Sequence, residues 1–89
     1  MNGTQDVVEL ELENIFLKLF EIRLNEVDIG APLLGSGMRL LPRDLVYLFF
    51  EVEKSFAIQI SQERISEGCF LTYDRLLETV RECINEQRS

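Results

Sequence analysis

Residues 42–60 read PRDLVYLFFEVEKSFAIQI, and this stretch decides the fold. Pro42 suits the first position of a helix, where its missing N–H costs no bond and its φ is already helical. Asp44 falls in the first turn, where the positive end of the helix dipole favours it. Leu45, Leu48, Phe49, Val52 and Phe56 then follow at spacings of 3, 1, 3 and 4, which predicts one apolar helical stripe. Val46, Tyr47 and Phe50 lie off that stripe, so the helix is apolar on more than one face. Ala57 to Ile60 reads as a short extended link.

Working towards the N-terminus, a helix is expected from about Asp6 to Leu24. Asp6 is placed to cap it, with Glu9 three residues later as in a capping box. Val8, Leu12, Ile15, Leu19 and Ile22 form its stripe, widened by Phe16 and Phe20. The opening VVELELE also alternates with period 2, as a strand would, but the helical stripe persists for longer. Between the two helices, residues 25–41 hold Gly30, Pro32, Gly35 and Gly37 and show no sustained period. Their apolar residues (Val27, Ile29, Leu33, Leu34, Met38, Leu40 and Leu41) predict an ordered crossover that is packed down and includes a short helical turn.

Towards the C-terminus, Ser61 caps a brief helix over 62–67, stopped by Gly68. Thr72 caps a last helix from Tyr73 to about Glu86, with Leu71 and Leu76 at hydrophobic-staple positions. Leu77, Val80 and Ile84 point inward, with Leu76 and Cys83 beside them. The tail, Gln87 to Ser89, is expected to fray. The expectation is an all-α, four-helix bundle: three longer helices, one short one and a long loop between helices one and two. It forms a single domain over 1–89, with an ordered core over about 6–86.

Composition narrows the chemistry. The 89 residues carry 16 acids, 9 bases and no histidine, for a net charge of −7. The absence of histidine removes imidazole acid–base catalysis, Ser/Cys–His nucleophiles and His-ligated metals. An acidic surface is unsuited to a nucleic-acid backbone. The polar start and the six-residue longest apolar run, Leu45 to Phe50, predict a cytoplasmic protein with no membrane span, which needs about 20 apolar residues. Cys69 and Cys83 form no CxxC pair and are simplest as two free thiols in a reducing compartment, although sequence alone leaves a disulfide open. Cys69, after Gly68, offers a remote thiol-based alternative. The pairs Glu51/Glu53 and Glu82/Glu86 could in principle supply carboxylates to an enzyme, but they read as solvated helix faces, and no enzyme is expected. The charge is uneven: net −5 over residues 1–30, zero over 31–60 and −2 over 61–89.

The run from Asp44 to Ile60, continued by residues 63–70 and the helix over 72–84, resembles acyl carrier proteins, whose second helix opens Asp-Ser-Leu-Asp and is followed by Ile-x-Ile. In that family the serine carries a 4′-phosphopantetheine arm. Sliding the motif back from Phe56, Ile58 and Ile60 places the serine at Pro42, which has no hydroxyl. The longer pattern from Leu33 to Glu51 is similar to the acyl-carrier-related proteins of bacterial peptide-maturation systems, which lack the attachment serine. The resemblance implies a non-enzymatic, carrier-related interaction module of a biosynthetic pathway, with no cofactor. The alternative is a true carrier with 4′-phosphopantetheine on the displaced Ser36, between Gly35 and Gly37. A protein partner is expected, a biosynthetic or modifying enzyme, and the module itself is expected to be a monomer. Carriers of this family dock through an acidic second helix. The equivalent outward positions here are Arg43, Tyr47, Phe50 and Glu53, a mixture of the kind that hot spots favour. Two readings stay open for Tyr47 and Phe50: a docking face, or core residues buried beneath the 25–41 loop.

Overall fold

A computed structural model describes residues 7–28, 30–35 and 38–88. Four α-helices follow one another: α1 (Val7–Phe20), α2 (Pro42–Phe56), α3 (Gln62–Ser66) and α4 (Tyr73–Arg88). One 3₁₀ turn (Leu24–Glu26) lies in the long crossover. No strand forms among the described residues; only two isolated bridges do, Pro32 with Thr72 and Leu34 with Leu40. The expected capping residue Asp6 and the candidate attachment residue Ser36 lie outside the described residues.

Helix α2 starts at Pro42 as its sequence requires. The Asp44 carboxylate reaches back to accept the Leu41 N–H at 2.9 Å, satisfying one of the donors that a helix start leaves unpaired. At the other end Ala57 turns left-handed (φ 54°), and the Ile58 N–H donates to the Glu53 carbonyl at 3.2 Å, a Schellman-type stop. Ser61 Oγ accepts the Arg64 N–H, and Thr72 Oγ1 accepts the Arg75 N–H, each at 3.2 Å. These are the N-caps expected for α3 and α4.

The first helix is shorter than its periodicity suggests. It ends at Phe20, not Leu24, because Glu21 adopts φ 57° and the N–H groups of Glu21 and Ile22 donate back to the carbonyls of Leu17 and Phe16. The break lets Leu24 turn into the core, where it is buried. The last helix is longer than expected: α4 continues through Gln87 to Arg88 instead of fraying. Arg64 of α3 bonds both Glu82 and Glu86, tying its final turns to the body. Leu76 is fully buried, but Leu71 is 57% exposed and faces a groove.

Helix α1 packs against both α2 and α4. Phe16 sits fully buried, its ring edge-on to Phe20 and Tyr73 at 5.9 Å each. Leu12, Ile15, Leu48, Val52, Leu76 and Val80 complete the centre. The crossover is packed down only in part: Val27, Leu34 and Leu41 are exposed, and Ile29 lies outside the described residues. Leu33, Met38 and Leu40 are buried, the Leu33 N–H donates to the Leu71 carbonyl at 2.9 Å, and the Leu40 N–H donates to the Leu33 carbonyl at 3.0 Å. The Leu33–Leu71 bond fixes the loop beside the α3–α4 turn instead of across the outer face of α2.

Candidate functional site

That placement decides what α2 shows to solvent. Tyr47 is 60% exposed, Phe50 62% and Val46 51%, so the loop does not bury them. Arg43 is exposed as well. Arg43, Tyr47 and Phe50 are spaced 4 and 3 and share one helix face, which continues at the next turn to exposed Lys54. Phe50 is steadied from behind. Its ring meets Phe49 edge-on at 5.5 Å, and Phe49 in turn meets Phe70 at 6.0 Å.

Glu53, expected on the same outward stripe, does other work. Its carboxylate turns towards the link and accepts the Ile60 N–H at 2.8 Å, a part-buried contact. The extended segment after α2 would otherwise leave that donor without a partner. Glu51 is also engaged, in an ion pair with Lys18 of α1. The hydrogen bond from Lys18 holds the Glu51 carboxyl below its ordinary range, with Lys54 adding to the effect. Glu82 and Glu86 share Arg64. Both carboxylate pairs singled out in the sequence therefore have structural contacts.

Beside the α2 stripe lies an open groove of about 520 Å³. Leu45, Val46, Phe49 and Phe50 form its α2 wall, and Pro32 and Leu34 its crossover wall. Ile65, Gly68, Phe70 and Leu71 close the α3 side. The lining is apolar throughout, and its volume lies within the range of ordinary ligand and side-chain pockets. Gly68 shapes it. The residue sits at φ 90°, and a Cβ there would meet Leu71 Cδ1 at 2.6 Å. Any side chain at 68 would be strained and would push Leu71 out of place.

The sequence reading missed Val46, Lys54 and this groove. Val46 and Lys54 could have been found by extending the spacing from Phe50 four residues each way. The groove has no local signal, because its far wall depends on the Leu33–Leu71 hydrogen bond. Cys69 and Cys83 are free thiols, both buried. Burial raises both thiol pKa values, which disfavours the thiolate and any nucleophilic role for Cys69. No helix among the described residues is long and apolar enough to cross a membrane.

Comparison with known proteins gives no counterpart: no family model, curated protein or solved structure matches the chain.

Proposed function

We propose that this protein is a non-enzymatic, acyl-carrier-like interaction module that docks a protein partner, a biosynthetic or modifying enzyme, through the outer face of α2. Two features support the reading. The chain has Pro42 where the resemblance would place an attachment serine, so the ordinary covalent arm has no hydroxyl to join. The feature that carries the docking reading is the exposed Arg43–Tyr47–Phe50 stripe, bordered by an apolar groove. Exposed aromatic and arginine side chains around an apolar hollow are the anchors that dominate binding energy at protein interfaces. In this proposal Glu53 is given a structural role, since its Oε2 accepts the Ile60 N–H.

The test is the pair Tyr47→Ala and Phe50→Ala, made together. Neither ring is part of the buried core, so urea unfolding should shift by no more than about 0.5 kcal/mol per site, as for ordinary surface changes. A loss of several kcal/mol would mean that the aromatics hold the fold, and the docking reading would fail.

A further inference from the structure

Charge on the docking face is arranged in a way that composition conceals. Residues 31–60 are formally neutral, with three acids and three bases. Glu51 is paired with Lys18, while Asp44 and Glu53 keep their charge but turn their carboxylates to the backbone N–H groups of Leu41 and Ile60. The three bases, Arg39, Arg43 and Lys54, are exposed, and among the described residues none forms an ion pair. Arg43 and Lys54 flank Tyr47 and Phe50 on the same helix face. A fourth base, Arg75, stands at the opposite rim beside Gly68, its Nη1 donating to the neutral Glu67 carbonyl at 3.3 Å. Glu63 of α3 and Glu67 just after it line a separate polar cleft with Arg64. Exposed bases thus stand beside the Phe50 and Gly68 edges of the apolar groove, on a chain whose net charge is −7.

From this arrangement we infer that the groove receives an acidic amphipathic helix of a partner protein. The helix sets apolar side chains into the groove and carboxylates against Arg43, Lys54 and Arg75. The inference rests on reading α2 as a docking face and adds the chemistry of what docks there. A helix fits better than an extended segment: no strand edge borders the groove among the described residues, whereas a helix satisfies its own backbone and presents anchors at i, i+3 and i+4. The polarity also gives direction. The net negative charge of the chain disfavours acidic ligands in general, so exposed Arg43, Lys54 and Arg75 favour encounters beside the groove. A second copy is disfavoured by the same net charge. Seating its acidic α1 in the groove would also be a head-to-tail contact that does not close.

The test is a selection of displayed random peptides of about 12 residues, roughly three turns of helix, on the intact protein. The expected winners are net acidic, with apolar residues at helical spacing. The best of them, made synthetically, should lose about tenfold or more in affinity, some 1.4 kcal/mol or more, on Phe50→Asp and on Arg43→Glu/Lys54→Glu. Its lysine-for-glutamate counterpart should recover binding to the charge-reversed protein. Melting curves check that each variant folds, and Val46→Asp serves as a second groove variant. Neutral or basic winners that are still lost on Phe50→Asp would overturn the acidic assignment and leave the docking face standing. Winners indifferent to both Phe50→Asp and Val46→Asp would overturn the two together. The inference is also overturned by an absence of enrichment, by self-association that Phe50→Asp abolishes, or by binding to phosphatidylglycerol vesicles without acidic peptides.

Discussion

The two faces of α2 differ in use far more than in composition. The inner face places Leu48 and Val52 in full burial against the other helices. The outer face presents Val46, Tyr47 and Phe50, no less apolar, to solvent. Hydrophobicity alone therefore does not say which side of a helix is core. The crossover decides it. By pairing Leu33 with Leu71 it covers the turn before α4 and leaves the outer face of α2 open. The inner face contributes stability, and the outer one is left available for a partner.

The sharpest way to break this contrast is on the inner face. Leu48→Ala should cost about 2–5 kcal/mol, through lost burial and the cavity left behind, read as a large drop in the urea midpoint. A cost as small as that of the Tyr47/Phe50 pair would erase the distinction. Glu53→Ala comes next. It removes the acceptor of the part-buried Ile60 N–H and should destabilise by about 1–3 kcal/mol, with no effect on the outer face. A stable Glu53→Ala protein with impaired partner binding would return Glu53 to the docking set. The smallest effect concerns Lys18 and Glu51. The folded-state pKa of Glu51 is lowered, so its contribution is present above the unfolded value, near pH 4.3, and is lost as pH falls through the folded value. Urea midpoints of the wild type and Lys18→Met should differ slightly at neutral pH and converge as pH falls through the lowered folded-state value. A difference that grows in acid would contradict the ion pair.

Much of the fold was legible because its signals are local. Pro42 and Asp44 announce the start of α2, Ser61 and Thr72 cap the next two helices, and apolar spacing marks the inner stripes. The failures are places where distant contacts outweigh spacing. Ile22 continues the α1 periodicity, yet the helix has already ended at a left-handed Glu21, a stop written without glycine. Glu53 has the spacing of an outward residue, but an N–H seven positions later claims its carboxylate. The fate of Tyr47 and Phe50 could not be read locally, because it turns on where the crossover lies. The arrangement of charge around the proposed docking face was hidden for a similar reason: a formal charge of zero does not reveal which acids turn their carboxylates to backbone N–H groups.

The central claim is that a carrier-like helical bundle here binds a partner without bearing a covalent arm. Its most direct test is the intact mass of the protein after co-expression with a phosphopantetheinyl transferase. The account predicts the unmodified mass. A gain equal to the 4′-phosphopantetheine arm, abolished by Ser36→Ala, would contradict it and make the protein a true carrier with a displaced attachment site.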